Sequence, residues 1–281
     1  MASSNRLDAI RNRYDKRAPT YDQEKGFHPK QAADYINWMN VQPGFNILDL
    51  ACGTGAVTVP AAKEAGPSGS VIGIDISSAS LDIGREKALK EGLKVTFLEH
   101  DIENLKGLEK YGIEEGKFDL ITCVSAFALV QDPSEAVRSW GKLLKKGGKL
   151  IFDVPAGGSL IKNLLLERVA KELNVSVHSH RLDSAESVKK CLTDAGLDAS
   201  ESFLSDVYDA TEVMEINKAG ETFDELLGRA NWTGDWYRDL AKPGLVDKSR
   251  AAFRKEVEKI ADKDGKVVSY LMLNMAVGKK L

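Results

Sequence analysis

The sequence predicts an α/β fold in which a mostly parallel sheet is covered by helices on both faces. Three observations carry this expectation. Between residues 45 and 154, short apolar runs at 46–50, 70–74, 94–98, 118–124 and 149–154 alternate with longer helical patterns. That is the rhythm of strands joined by crossover helices. The spacers carry helix punctuation rather than two-residue hairpin turns. Of the 281 residues, 43% are hydrophobic and 29% charged, which suits a folded domain with a sizeable core and argues against a disordered, collagen-like or membrane chain.

Taken in order, the run 46–50 is the first strand, and it ends in a glycine-rich loop. Residues 77–92 predict a helix with serines at its start, although Gly84 inside it is a poor helix former. A further helix starts at Asp132, which can cap it, with Pro133 in the first turn. Its apolar stripe is Ala136, Val137, Trp140, Leu143 and Leu144, and Gly147 is expected to stop it. After Pro155 the rhythm loosens, with helical patches at 160–173 and 184–195 and a strand near 203–208. A helix over 248–261 precedes an almost unbroken apolar run at 267–277, which reads as one last buried strand. Between the strand near 203–208 and that helix, 216–244 is rich in aromatics and glycine and reads as an insertion.

Charge and cysteine content narrow the function classes. Lys and Arg number 39 against 42 Asp and Glu, a net charge of −3, so no overall basic field would attract nucleic acid or anionic lipid. No uncharged apolar stretch of about 18 residues suggests a membrane span. Three scattered cysteines, Cys52, Cys123 and Cys191, form no disulfide framework and fit a reducing setting. A cytoplasmic monomer or homodimer is expected. His178-Ser179-His180 has no Cys, Asp or Glu at a supporting spacing, so no metal site is expected.

The chemistry concentrates at strand ends. Ile47-Leu48-Asp49-Leu50-Ala51-Cys52-Gly53-Thr54-Gly55 closes the first strand and opens a helix, where glycines let backbone approach a ligand. A lone Gly-x-Gly also occurs in dinucleotide folds. Here the third glycine of that fingerprint is replaced by Thr58, and Asp49 would repel a pyrophosphate. A carboxylate at that place can instead help to orient the ammonium end of a zwitterionic ligand, with the glycines admitting its aminoacyl chain. These features point to S-adenosylmethionine. Asp75, 20 residues after Gly55, is placed to accept from two ribose hydroxyls, a role that NAD would equally use. In His100-Asp101-Ile102 the carboxylate can accept from an adenine amino group while the isoleucine packs on the ring.

In this order, Asp49-x-x-x-Gly53-x-Gly55, Gly73-x-Asp75, Asp101-Ile102, Phe118-Asp119 and Leu143-Leu144-Lys145-Lys146-Gly147-Gly148-Lys149-Leu150 resemble the class I S-adenosylmethionine-dependent methyltransferases. Tyr14-Asp15 and Tyr21-Asp22 look like the N-terminal tyrosine pair of the ubiquinone/menaquinone-biosynthesis type of small-molecule methyltransferase. The resemblance covers roughly 14–154 and implies a Rossmann-like, seven-stranded, mostly parallel sheet with an antiparallel last strand. It implies one methyltransferase domain over 1–281, with an N-terminal helical lid at 1–40 and a cofactor-binding core at 41–155. The C-terminal half, 156–281, would complete the sheet and carry substrate-covering insertions at about 156–181 and 210–247.

Tyr21 would then close over the methionine part of the cofactor, Ala51, Gly53 and Gly55 would contact it by backbone, and Asp49 would help to orient its ammonium. Asp75 would hold the ribose, Ile76, Asp101 and Ile102 would surround the adenine, and the Val124 carbonyl would meet the ammonium. Phe27, His28, Phe127, Trp232, Trp236 and Tyr237 are candidate walls for the acceptor. The segment 125–130 lacks the histidine pair often found in the quinone enzymes. The aromatic insertion looks more like that of fungal secondary-metabolite methyltransferases, including those that methylate thiols of epidithiodiketopiperazines.

The expected function is direct methyl transfer from S-adenosyl-L-methionine to an S, O, N or C atom of a small molecule, in secondary metabolism or detoxification. S-adenosyl-L-homocysteine would be the product. A sulfonium methyl is already electrophilic, so no catalytic triad is required and no catalytic residue is assigned. The alternative is a non-catalytic S-adenosylmethionine-binding protein that uses its aromatic insertion as a partner surface. A nicotinamide oxidoreductase is disfavoured by Thr58, and RNA methylation by the negative charge balance.

Overall fold

The computed structural model describes residues 2–23, 28–156, 159, 161–177, 182, 184–228 and 237–281. Two helices, α1 (Ala2–Tyr21) and α2 (His28–Met39), precede the alternating core. That core runs β1 (Asn46–Leu50), α3 (Thr58–Ala65), β2 (Ser70–Asp75), α4 (Ser78–Lys90), β3 (Thr96–Glu99), β4 (Phe118–Cys123), α5 (Pro133–Leu143) and β5 (Leu144–Pro155). There follow α6 (Ile161–Glu172), α7 (Ala185–Asp194), β6 (Leu197–Asp198), β7 (Phe203–Leu204), β8 (Tyr208–Glu215) and α8 (Ala219–Gly228). The chain ends with α9 (Val246–Ile260), β9 (Lys266–Leu271) and β10 (Leu273–Lys280). Two compact units result: Met1–Val154 with Ser184–Ser205 and Asn274–Leu281, and Pro155–Asp183 with Asp206–Leu273.

The first unit holds a sheet of order β3-β2-β1-β4-β5-β10-β6, with β7 also paired to β10. Neighbours from β3 to β5 are parallel, whereas β10 runs antiparallel to β6 and β7. The two short strands share one edge, so the sheet has the seven expected positions. Ile47, Leu48 and Leu50 of β1 are wholly buried, as a central strand covered on both faces requires. The chain winds outward from β1 to β3 and then in the other direction through β4 and β5. This reversal leaves a crevice at the carboxyl ends of β1 and β4.

Local chemistry explains most boundaries. Ser77 caps α4 by accepting from the Ser80 N–H at 3.1 Å. Gly84 is tolerated there because a Cβ would lie 2.9 Å from Phe97 Cε1, so the missing side chain lets the strand's aromatic ring pack against the helix. Asp132 caps α5 through the Glu135 N–H at 3.0 Å, and Pro133 is its first residue. The helix stops at Leu143, earlier than the expected stop at Gly147, because Leu144 already pairs with Phe118. The register with β4 then shifts between Phe118 and Leu120, and Lys145 reaches Asp119 at 2.7 Å.

The run 267–277, expected as a single strand, is two. Lys266–Leu271 pairs antiparallel with β8 in a separate two-stranded sheet, while Leu273–Lys280 enters the main sheet. Likewise, the strand expected near 203–208 is split between β7 and the start of β8. The second unit packs α6, α8 and α9 around Phe223 and Phe253, whose ring centroids are 5.6 Å apart, with Met214 and Val267 of the strand pair. Among the described residues, no helix is long and apolar enough to cross a membrane. Cys52, Cys123 and Cys191 are buried free thiols.

Candidate functional site

At the crevice the backbone enters the left-handed region at Ala51 (φ 57°), Gly53 (φ 53°), Gly55 (φ 78°) and Ser125 (φ 54°). Such geometry costs about 1 kcal/mol or more at a non-glycine residue and persists only where surrounding bonds enforce it. Two solvent-open cavities, of about 770 Å³ and about 470 Å³, meet here. Tyr21, Ala51, Gly53, Thr54, Val124 and Ser125 line both.

Asp75, at the end of β2, stands on the wall of the larger cavity. Its Oδ2 accepts from the Gly53 N–H at 2.8 Å and its Oδ1 from the Ser77 N–H at 2.8 Å. The carboxylate thus joins the glycine loop to the start of α4, and its four lone-pair sites exceed its backbone donors, which leaves it able to accept from a ligand hydroxyl. Burial raises its pKa, opposed by these N–H donors. Ile76, Asp101 and Ile102 continue the same wall. The loop after β3 is held by Asp101 Oδ1, which accepts from the Glu103 N–H at 3.0 Å, and by the Ile102 carbonyl, which accepts from the Trp140 indole N–H at 2.9 Å.

The two glycines of the loop have different tasks. A Cβ on Gly53 would meet nothing within 4 Å, so its backbone is open to the cavity. A Cβ on Gly55 would lie 3.2 Å from Val59 Cγ2 and 3.4 Å from Gly84 Cα. Gly55 lines neither cavity. The expected ligand contact there is corrected to close packing of the loop on α3 and α4.

Asp49 lines the smaller cavity and is only 2% exposed. It accepts from the Thr58 hydroxyl at 2.5 Å and the Thr122 hydroxyl at 2.8 Å, which stitches β1 to α3 and β4. Burial pushes its carboxyl up to about 6 against these two donors. Thr58, the residue that breaks the dinucleotide fingerprint, is therefore occupied by Asp49.

Helix α1 closes the larger cavity. Leu7, Ile10, Tyr14 and Tyr21 line it, at spacings that share one helical face. The acid after each tyrosine docks the helix. Asp15 accepts from the Ser77 hydroxyl at 2.7 Å, and Asp22 accepts from the Thr54 hydroxyl at 2.7 Å while pairing with Lys87 at 2.7 Å. At the other end, Arg6 donates to the Leu129 carbonyl at 2.8 Å and pairs with Glu103 at 2.7 Å. Sequence reasoning missed these docking residues, although the repeated Tyr-Asp doublet carried the signal.

It also missed Asp153 in β5. This buried carboxylate accepts, on one oxygen, from the Tyr35 hydroxyl (2.6 Å), the Gln31 amide (3.2 Å) and the Ser125 N–H (2.8 Å). Burial pushes it up to about 6. An acid inside the apolar run 149–154 was the available clue.

The expected acceptor walls fare differently. Phe27, Trp232 and Trp236 lie outside the described residues, as do His178, His180 and the side chain of His28. Phe127 is 1% exposed, stacked on Phe152 at 3.8 Å and edge-on to Trp140 at 5.8 Å. It is core, because a ring between two buried aromatics presents no face to a ligand. Tyr237 is wholly buried in the second unit's core and donates to Glu167 at 3.1 Å. Its expected place on an acceptor wall is corrected in the same way.

Residues 42–226 match the family model described as a methyltransferase domain. The chain belongs to the class I S-adenosylmethionine-dependent methyltransferases. Among its relatives, the demethylmenaquinone methyltransferase of Listeria monocytogenes is 32% identical over 143 residues, 49% of this chain and 58% of the relative. The ubiquinone/menaquinone biosynthesis C-methyltransferase of Pseudomonas paraeruginosa is 30% identical over 192 residues, 62% of this chain and 73% of the relative. The chain thus spans about three fifths of the length of the first curated relatives it matches. A solved structure from Bacillus halodurans, assigned as a methyltransferase, shares the fold with a TM-score of 0.58 at 18% identity, over 89% of this chain and 99% of its own. The larger cavity fits the family's cofactor, with an open backbone at Gly53 and the accepting Asp75 carboxylate on its wall.

Proposed function

We propose that this chain transfers the methyl group of S-adenosylmethionine to a nucleophilic atom of a small organic acceptor and releases S-adenosylhomocysteine. The observation that carries the reading is the convergence of three strand ends, through Gly53, Asp75 and Asp101, on one cavity closed by the tyrosines of α1. In this reading Asp75 accepts from the ribose hydroxyls, and Ile76, Asp101 and Ile102 surround the adenine. Ala51, Gly53 and the Val124 carbonyl receive the aminoacyl end, with Tyr21 over it. Asp49 acts by holding Thr58 and Thr122, and so the loop, in place.

The cofactor supplies an electrophilic methyl carbon. The chain's task is to hold the acceptor in line with it and to keep water out. As the bond from acceptor to methyl forms, the carbon–sulfur bond breaks, sulfur keeps the electron pair, and the acceptor loses its proton. The missing histidine pair at 125–130 and the aromatic insertion support an acceptor from secondary metabolism or detoxification over a quinone. Buried free cysteines support a cytoplasmic setting.

Calorimetric titration with S-adenosylhomocysteine, with NADH as a control, tests the reading. Binding of the adenosyl product alone, followed by methyl transfer to a thiol, phenol or amine acceptor, is the expected result. Saturable NADH binding without competition from S-adenosylhomocysteine would overturn it.

A further inference from the structure

Ser125 stands where the two cavities meet, on the wall of both. Its hydroxyl hydrogen is committed, because Oγ donates to Gln31 Oε1 at 2.5 Å. Gln31 is held in turn, since its Nε2 donates to Asp153 Oδ2 at 3.2 Å. An ionised carboxylate accepts and cannot donate. The reversed amide would set the Gln31 oxygen against the carboxylate, so only one orientation is satisfied. Tyr35 and the Ser125 N–H donate to the same carboxylate oxygen, which secures both α2 and the left-handed turn at Ser125. Gln31, Tyr35 and Asp153 are all at most 3% exposed, so water does not compete for these bonds. The carboxylate therefore imposes a direction on the whole chain of hydrogen bonds. At its far end, Ser125 Oγ has only lone pairs left to offer.

We propose that Asp153 is a positioning residue that makes the cavity wall at Ser125 an acceptor-only surface, which selects the ammonium group of the cofactor's aminoacyl end. The proposal rests on the cofactor reading above. An ammonium has three donors and no acceptor, so it matches this wall. A group without N–H or O–H donors placed there would set lone pair against lone pair. With asparagine at 153, the new amide could donate, Gln31 could turn over, and the Ser125 hydroxyl would be released to point either way.

The test compares S-adenosylhomocysteine with 5′-methylthioadenosine, which keeps the adenosine and thioether but lacks the aminoacyl end. Calorimetry on the full chain is expected to show that Asp153→Asn weakens S-adenosylhomocysteine about tenfold, the scale of one charge-assisted hydrogen bond. Affinity for 5′-methylthioadenosine should stay within about twofold on the same argument. Ser125→Ala removes the acceptor atom without touching the buried carboxylate, and the same selective loss is expected, so the proposal can be judged even where Asp153→Asn does not fold. Unchanged affinity for S-adenosylhomocysteine in these variants, or equal loss of both ligands, would overturn the proposal and leave the cofactor reading standing. Failure of the unmodified chain to bind either ligand would overturn both.

Discussion

Asp75 Oδ2 lies 2.8 Å from the Gly53 amide nitrogen, so the acid after β2 and the glycine after β1 form one hydrogen-bonded unit. Replacing Asp75 by alanine removes the proposed ribose acceptor and also leaves the Gly53 and Ser77 N–H groups without their partner. The expected result is a loss of about 100-fold in affinity for S-adenosylhomocysteine. Asp75→Asn, which keeps one acceptor oxygen, should lose less. Isothermal titration of both variants checks the order, and equal losses would contradict it.

Gly53 and Gly55 both have positive φ, yet their alanine variants should fail in opposite ways. Gly53→Ala adds a methyl into open space at the cavity wall, so ligand binding should fall with only the modest backbone strain of an alanine at that φ. Gly55→Ala drives a methyl toward Val59 and the backbone of Gly84, and about 1–3 kcal/mol of stability should be lost. Denaturant unfolding beside calorimetry separates the two. Identical stability losses would refute the division of tasks.

Arg6 and Glu103 hold the start of α1 across the larger cavity. Arg6→Ala removes this pair and the bond to the Leu129 carbonyl, while Asp15 and Asp22 still dock the rest of the helix. Dissociation of S-adenosylhomocysteine should then quicken by roughly tenfold, with a smaller change in association, since affinity changes within one site reside mostly in the off-rate. Stopped-flow displacement measures this directly, and an unchanged off-rate would show that the helix start does not retain the ligand.

Asp49 is a buried carboxylate raised to about 6, chiefly by desolvation. Its folded pKa exceeds the unfolded value, so between about pH 4 and 6 the folded state holds the proton more firmly, and its effect on stability becomes more unfavourable as pH rises through that window. The stability of the unmodified chain relative to Asp49→Asn should therefore decline from pH 4 to 6 by on the order of 2–3 kcal/mol and level off above. Unfolding curves collected across this range test the sign. A difference that is flat, or rises with pH, would contradict it.

The strands from β1 to β5, the helices α4, α5 and α7, and the cavity positions of Gly53, Asp75, Asp101 and Ile102 were legible from the sequence. They depend on short-range physics: apolar period, capping residues such as Ser77 and Asp132, and the rule that ligands meet parallel strands at their carboxyl ends. Boundaries failed where pairing overrode local signals, as at Leu144, which pairs with Phe118 before Gly147 is reached. The split at Met272 escaped notice because two strands in separate sheets can read as one apolar run.

By itself, then, the sequence determined the alternating α/β order, the place of the glycine loop at the end of β1 and the family, because each rests on neighbours a few residues apart or on the order of local motifs. Only the tertiary structure decided that Gly55 packs while Gly53 faces the cavity, and that Phe127 and Tyr237 are core. Hydrophobic character marks a core ring and a pocket wall alike, and only the surrounding atoms tell them apart. The structure alone joined Asp153 to Gln31, 122 residues away, and Gln31 to Ser125, 94 residues away. Such bonds arise from the order of strands in the sheet and the path of α2 above it, and a linear pattern of residue types does not encode which distant donor meets which buried acceptor.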